Sequence, residues 1–310
     1  MIDVGLILAR FAHYAATTVL FGVSLFPLYA YRNSEPAPSR SWGSRLLLAT
    51  AVIAVISGLI WFLFSAANMA GSLSDLSDAE NLWAAIRDTG FGNVWTARML
   101  LAVLIVVATA AYALRKASIG ENLLVLILAA VFLASLAGAG HAQVEEGGAS
   151  VLHVFSDVAH LLAAGAWLGG LVPLAYVLAC HARPSRDAGQ LDQVLLRFSR
   201  MGYVVVATLV GTGLVNSWFL VGSVSNLLAT PYGQVLLAKL ALFAGMVGLA
   251  AANRFWLVPA MSDARPDGSE GSMVWLRRLR NHVFGEQFLG AMVLLVVSLL
   301  GTMKPAIGQR

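Results

Sequence analysis

Long runs of apolar residues dominate the chain, and short polar stretches separate them. Each run reaches the length of about 20 residues that an α-helix needs to cross the hydrocarbon core of a membrane. A strand of a membrane barrel needs only about 10 residues of alternating polarity. The pattern therefore predicts an all-α membrane protein with eight transmembrane helices. The eight runs lie near 5–30, 45–67, 93–114, 121–140, 151–179, 199–221, 233–257 and 283–303.

Two other features refine this pattern. Residues 68–92 form a longer polar connection in which Ser77 and Glu80 make a capping box. A short amphipathic helix carrying Trp83 is expected after it, resting on the membrane interface or covering the mouth of the bundle. The fifth run is long, and we expect Pro173 to bend it.

Composition and motifs exclude several classes of protein. Of the 310 residues, 59% are hydrophobic and only 12% are charged, against about 25% charged residues in soluble domains. The formal net charge of +4 is too small and too scattered to indicate a nucleic-acid partner. A single cysteine excludes a disulfide framework. Because nucleotide-binding and hydrolase motifs are absent, we expect a transporter or metal-binding membrane protein and not an enzyme, with redox activity left open.

The basic residues between the runs predict the orientation in the membrane. The loops after runs one, three, five and seven, together with the adjoining ends of the runs, hold 14 Lys and Arg residues, whereas the opposite side, counted in the same way and including Arg98, holds four. Basic loops stay on the cytoplasmic side. Both termini are therefore expected outside, and the first run lacks the features of a cleavable signal peptide.

The two halves of the chain, 1–143 and 144–310, resemble each other when laid over one another in the same orientation. Four spans followed by four spans indicate a parallel 4+4 internal repeat, of the kind that places sites between halves in transporters. The alternative is a chance similarity between apolar helices. The matching pairs are Arg98 with Lys239, His13 with His160, Gly22 with Gly169, and Gly58 with Gly213.

Four histidines lie toward the outer side of this arrangement. His13 and His160 lie about two helical turns inside the boundary, while His141 and His153 lie at the boundary itself. His153, Asp157 and His160 share one helix face through their i, i+4 and i+7 spacing. Imidazole is a ligand for copper, zinc, iron and nickel. The sequence therefore predicts an outer metal site, with Asp157 as a ligand or as the group that orients an imidazole.

Alternative roles remain open for these and neighbouring residues. The histidines could instead bond backbone carbonyls between helices. His13 and His160 could be the two axial ligands of a haem. Weaker candidate ligands are Met99 and Met303 on the outer side. On the inner side, Cys180 and His181, with His282 four residues before Glu286 at the start of the eighth run, could form an exit site.

Charged residues inside the runs need partners, because an unpaired charge in the membrane is costly. Arg10, Arg98, Lys239 and Asp157 are such residues. We expect structural pairing, for example between Arg10 and Asp157. The alternative is binding of an anionic group, such as a lipid headgroup or a quinone carbonyl.

Several stretches of the chain resemble the copper-resistance D (CopD) family of bacterial inner-membrane proteins. These stretches are GHA at 140–142, DVAHLLAAGAWLGGL at 157–171, TPYGQVLLAK at 230–239 and NRFWLVP at 253–259. The resemblance implies copper handling at the inner membrane, with copper moving from periplasm toward cytoplasm. It also implies a periplasmic copper-binding partner protein, and it supports His141, Asp157 and His160 as site residues. The copper oxidation state stays open between Cu(I) and Cu(II).

Two other functions compete with copper transport at this stage. One is a haem-binding membrane redox protein. The other is a sensor or partner of a periplasmic copper chaperone that does not itself transport copper. Haem content separates the first from copper transport, and flux into liposomes separates the second.

Overall fold

The apolar runs form helices in a computed structural model of the chain, which describes residues 2–31, 40–71, 79–114, 119–139, 148–181, 188–264 and 269–309. All regular structure in these ranges is helical. The α-helices are α1 (Ile2–Ala30), α2 (Arg40–Ala70), α3 (Ala79–Arg87), α4 (Gly90–Leu114), α5 (Ile119–Ala134), α6 (Gly148–Ala164), α7 (Gly170–His181), α8 (Ala188–Val221), α9 (Val224–Ala229), α10 (Pro231–Ala252), α11 (Val258–Asp263) and α12 (Ser269–Leu300).

Seven helical segments of the described chain are long and apolar enough to cross a membrane. They are α1, α2, α4, α6 with α7, α8, α10 with α11, and α12. The fourth predicted run, 121–140, is the exception, because α5 ends at Ala134 and a 3-10 turn follows at Ala137–Ala139. Glycine is a poor helix former, and the run ends in the sequence Ala-Gly-Ala-Gly at 137–140. The prediction that the fourth helix continues to residue 140 was therefore wrong, and α5 is a short apolar helix.

Two spans contain a π-helical turn followed by a proline. The first π turn, Gly165–Gly169, joins α6 to α7, and the second, Asn253–Leu257, joins α10 to α11. Proline has no amide hydrogen to donate to the carbonyl four residues earlier. For Pro173 and Pro259, that carbonyl lies inside the preceding π turn. The irregularity predicted at Pro173 in the fifth run therefore lies one turn earlier in the chain.

Helix α1 is the central element of the bundle. It packs against α2, α5, α7, α8 and α12, and against the first π turn. Gly22 of α1 lies directly against the backbone of Gly169, and a Cβ atom on either glycine would overlap the other segment. Small residues permit this backbone approach in membrane helices. The contact fixes the depth of the first π turn beside α1.

The outer faces of the bundle are apolar. Exposed fractions reach 68% for Leu100, 69% for Leu214 and 72% for Trp218. A surface of this kind on a membrane-spanning helix faces lipid, since exposed apolar patches in water are small.

The short amphipathic helix predicted in the connection 68–92 is confirmed as α3. Leu82 and Ile86 pack against an aromatic and apolar cluster that includes Phe62, while Trp83 stays 55% exposed. Ser77 of the predicted capping box lies outside the described residues. The apolar face of α3 thus covers one end of α2 and α4.

Candidate functional site

His13 lies at the centre of a polar cluster in the first half of the chain, here called the His13 cluster. Its members are His13 of α1, Ala54 and Ser57 of α2, Arg98 of α4, and Phe132 and Ser135 near the end of α5. His13 is 0% exposed and Arg98 is 3% exposed. The cluster therefore binds four helices together through buried polar groups.

Both ring nitrogens of His13 have hydrogen-bond partners. The hydroxyl of Ser57 donates its hydrogen to the carbonyl of Ile53 at 2.6 Å and is therefore not a donor to His13. Because the carbonyl of Ala54 can only accept, Nδ1 of His13 carries a hydrogen and donates it to that carbonyl at 3.0 Å. The Nε2 atom then accepts from Nη2 of Arg98 at 2.7 Å. Because its lone pair is occupied by the guanidinium, His13 has no nitrogen available for a metal ion in this conformation.

A second polar cluster surrounds His160, here called the His160 cluster. Its members are Asp157 and His160 of α6, Thr212 and Asn216 of α8, and Lys239 of α10. The amide of Asn216 donates to Oδ1 of Asp157 at 3.3 Å. Lys239 interacts electrostatically with both Asp157 and His160. This cluster combines a carboxylate, an imidazole and an ammonium group within one half of the chain.

The imidazole of His160 is held at one nitrogen. Its Nδ1 lies 2.9 Å from Oγ1 of Thr212, whose own hydrogen is donated to the carbonyl of Thr208 at 2.6 Å. The Nδ1–H group of His160 is therefore the donor, and Nε2 carries the lone pair. Within the described part of the chain, Nε2 makes no hydrogen bond.

The structure does not assemble the predicted residues into one metal-binding group. In the described ranges, no three His, Cys, Asp or Glu side chains lie close enough together to hold a metal ion. His13 and His160 belong to different clusters, and His153 stacks on Phe219 with ring centroids 4.6 Å apart. His153 also interacts electrostatically with Asp157. His141 lies outside the described residues, so its predicted role stays a prediction.

The predicted pair of Arg10 and Asp157 was wrong. Arg10 instead donates to the carbonyl of Gly301 beyond the end of α12, and its guanidinium lies 5.2 Å from the ring of Trp61. A carbonyl at a helix end has no partner within the helix, so it is a suitable acceptor for a buried cation.

The weaker candidate ligands are scattered. Met99 lies against Gly58 beside the ring of His13, and Met303 packs against an apolar cluster that contains Tyr232. Cys180 has a free thiol, and Nδ1 of His181 bonds the carbonyl of Val177 on its own helix.

A third polar cluster joins residues that were not predicted from the sequence to meet. Glu286 of α12 is 2% exposed, and its carboxyl group accepts from Nε1 of Trp167 at 3.2 Å and from Nδ2 of Asn253 at 2.6 Å. We call these three residues the Glu286 cluster. The predicted eighth run begins at 283, which places Glu286 at its edge, whereas α12 begins at Ser269 and carries Glu286 well inside the helix. An acidic residue within an apolar run was the available signal.

Comparison with known proteins shows the family to which the chain belongs. Residues 1–151 match the family described as copper resistance protein D-like, N-terminal domain, and residues 192–300 match copper resistance protein D. The chain is 37% identical over 302 residues to copper resistance protein D of Pseudomonas syringae pv. tomato, which covers 96% of each chain. The chain belongs to the copper resistance protein D family. The resemblance predicted from the sequence is thereby confirmed.

Two further relatives of this family member extend the comparison. Inner membrane protein YebZ of Escherichia coli (strain K12) is 32% identical over 307 residues, covering 96% of this chain and 97% of that protein. Copper transport protein CutJ of Bacillus subtilis (strain 168) is 29% identical over 244 residues, covering 77% of this chain and 44% of that protein. These names describe copper resistance, copper transport or an inner-membrane location and no enzymatic reaction. No solved structure matches the chain significantly.

Proposed function

We propose that this protein accepts copper on the outer side of the bacterial inner membrane and moves it toward the cytoplasm. Nε2 of His160 and the carboxylate of Asp157 are the first ligands, and His153 and His141 are further candidates nearby in the sequence. The observation that carries this proposal is the hydrogen bond from Nδ1 of His160 to Thr212. Metal-binding histidines have one nitrogen held in this way, which fixes the tautomer and leaves the other nitrogen for the metal.

In this proposal, His13 binds copper in a second conformation of the protein, which differs from the one described here. Its Nε2 atom is bonded to Arg98, so copper reaches it only after the guanidinium moves away. Met99 lies beside the same ring and supplies a thioether sulfur, which favours Cu(I). Spectra of the bound metal, with Cu(II) visible in electron paramagnetic resonance and Cu(I) silent, decide the oxidation state.

The parallel 4+4 repeat, with halves 1–143 and 144–310, is part of the proposal. His13 and His160 both have Nδ1 beside a hydroxyl, that of Ser57 or Thr212, which precedes a glycine. The equivalent helices α4 and α10 also begin alike. The hydroxyl of Thr89 accepts from Gly92 at 2.9 Å, and the hydroxyl of Thr230 accepts from Gly233 at 3.0 Å.

Orientation and partner complete the proposal. The excess of basic residues in alternate loops supports periplasmic positions for both termini. A periplasmic copper-binding protein would then deliver the ion to the side on which His141 and His153 lie. Transfer from such a protein to His160 avoids release of free copper.

The test is the copper content of the purified protein and of single variants. We expect His160→Ala and Asp157→Asn to lose bound copper and His13→Ala to retain it, because Nε2 of His160 makes no hydrogen bond in the described chain whereas both nitrogens of His13 are bonded. Copper binding that is unchanged in His160→Ala, Asp157→Asn, His153→Ala and His141→Ala would overturn the site.

The same preparation tests the competing functions. A Soret band after expression with adequate haem would support axial ligation by His13 and His160. Copper uptake into liposomes separates a transporter from a sensor or chaperone partner, since the latter binds copper without net flux.

A further inference from the structure

We propose that Glu286 binds an exchangeable proton and that the two π turns respond to its protonation state. The inference deepens the proposed copper function by naming a coupling ion, and its coupling part rests on that function. Proton binding by Glu286 stands on the geometry alone. The reaction is the addition of one proton to a carboxylate oxygen and its release, with no other bond formed or broken.

Among the described residues, no charged side chain forms a hydrogen bond or an ion pair with Glu286. Its two donors, Trp167 and Asn253, are neutral. Titratable and charged side chains do occur on α12 and on the elements packed against it. In the described chain none of them bonds to Glu286 or interacts with it electrostatically. These side chains include Arg254, His282, His181, Tyr29, Lys239 and Arg10.

A proton is the cation that suits this site. An ionised carboxylate enclosed in protein within the membrane, without a cation beside it, is strongly destabilised by the loss of hydration. Glu286 is 2% exposed and lies well inside a membrane-spanning helix. Protonation removes the charge and converts an acceptor-only group into one that also donates.

Asn253 has the chemistry to bond both forms of Glu286. The amide nitrogen lies 2.6 Å from Oε1, a separation typical of O–H···O bonds and short for N–H···O. The amide oxygen Oδ1 is buried and has no hydrogen-bond partner among the described residues. Rotation of the amide exchanges its two atoms, so Oδ1 accepts from the protonated carboxyl and Nδ2 donates to the ionised one.

The donors to Glu286 belong to the two irregular turns of the bundle. Trp167 lies in the first π turn, seven residues after His160 in the same span, and Asn253 begins the second π turn. Such turns insert an extra residue into a helix and occur often at functional sites. The first π turn also contacts the backbone of Gly22 in α1. A change in the hydrogen bonds of Glu286 would therefore alter the position of the first π turn. This turn continues the span of His160 and packs against the central helix α1.

The first experiment measures the proton directly. Infrared difference spectra of the full-length protein in lipid are recorded over pH values on both sides of neutrality, for wild type and Glu286→Gln. We expect a carboxylic-acid C=O band that changes with pH in wild type and is lost in Glu286→Gln. The matched control is Gln287→Met, which removes an amide that donates to Leu171 at 3.0 Å and leaves the band. Identical carboxyl bands in wild type and Glu286→Gln at every pH would overturn the proposal.

A second variant keeps this test decisive if Glu286→Gln does not fold. Asn253→Ala leaves the carboxyl in place and removes one of its partners. We expect the wild-type band to shift in frequency, because the C=O stretch depends on the hydrogen bonds of the group. An unshifted band in Asn253→Ala would contradict the role of the amide.

The second experiment measures coupling. Copper flux into proteoliposomes is followed with and without an imposed proton gradient, alongside copper stoichiometry. We expect the gradient to change the flux in wild type and in Gln287→Met but not in Glu286→Gln, which retains its bound copper. Flux in Glu286→Gln that responds to the gradient as in wild type would overturn the coupling. A wild-type protein that shows the proton band and moves no copper would contradict the transport function and leave the proton site standing.

Discussion

At the scale of single residues, the rings of His13 and His160 are held in similar ways at Nδ1 and differ at Nε2. Each ring has Nδ1 beside a hydroxyl on the following span, and each lies near a basic residue. Arg98 bonds the ring of His13 directly, whereas Lys239 interacts with His160 only through its charge. In the His13 cluster, Arg98 therefore occupies the nitrogen that a metal ion would need. In the His160 cluster, Nε2 of His160 remains available to a ligand.

Replacing Thr212 by valine tests the orientation of His160. Thr212→Val removes the hydroxyl that accepts from Nδ1 with little change in volume. Loss of a group that orients a metal-binding histidine lowers metal affinity by about 10- to 100-fold. We expect weaker copper binding at unchanged stoichiometry, measured by competition with a copper chelator. The control is Thr208→Val, one turn earlier on α8, where the hydroxyl is exposed and bonds only its own helix. Equal affinities in the two variants would rule out the orienting role.

Replacing Arg98 by methionine tests the closed cluster. Arg98→Met leaves Nε2 of His13 buried without a donor, whereas the carbonyl of Phe132 still accepts from the hydroxyl of Ser135. Unsatisfied buried groups cost about 1–3 kcal/mol each. We expect a lower free energy of unfolding in detergent. Arg87→Met serves as the control because Arg87 is exposed and stacks on Trp83. An equal loss of stability in both variants would contradict a structural role for the His13–Arg98 bond.

At the scale of elements, close contact between α1 and the first π turn orders the centre of the bundle. The Cβ position of Gly169 lies 2.8 Å from the Cα of Gly22, which is too close for any side chain. Proline follows each π turn and removes a hydrogen-bond donor from the helix that comes next. These two local constraints bring Trp167 and Asn253 to the same carboxyl group.

Adding a methyl group at this contact is expected to destabilise the protein. Overpacking a well-filled core costs about 1–3 kcal/mol. Gly22→Ala and Gly169→Ala should therefore unfold at lower temperature or denaturant than wild type. Gly248→Ala on α10, where a Cβ atom meets open space, is the control and should change stability little. Stabilities of Gly22→Ala and Gly169→Ala that match Gly248→Ala would show that the backbones are not in contact.

At the scale of the whole molecule, the basic loops predict which ends face the periplasm. In a Cys180→Ser background, single cysteines at Asp3 and Thr302 report on the ends of α1 and α12, and one at Ser262 reports on the end of α11. All three positions are exposed. We expect an impermeant maleimide to label Asp3→Cys and Thr302→Cys in cells with a permeable outer membrane, and Ser262→Cys only after the inner membrane is opened. The reverse pattern would invert the proposed topology and the direction of copper entry.

The amino-acid sequence by itself determined the helical membrane class, most of the spans, the amphipathic helix α3 and the family. These properties follow from local features, since a run of apolar residues must become a helix in lipid wherever it lies in the chain. Motif residues such as Asp157 and His160 identified the family in the same way. The end of α5 was missed because apolarity does not distinguish a helix from a glycine-rich turn.

The tertiary structure alone decided which polar groups meet. Arg10 reaches Gly301 and not Asp157, Arg98 closes the ring of His13, and Glu286 collects donors from two distant spans. Partners of this kind depend on the depth and rotation of each helix. Backbone contacts at glycines set the depth, and a π turn, by inserting a residue, rotates every side chain that follows. Reasoning from sequence spacing assumes regular helices. It therefore identified the polar residues inside the membrane but not which of them bond to each other.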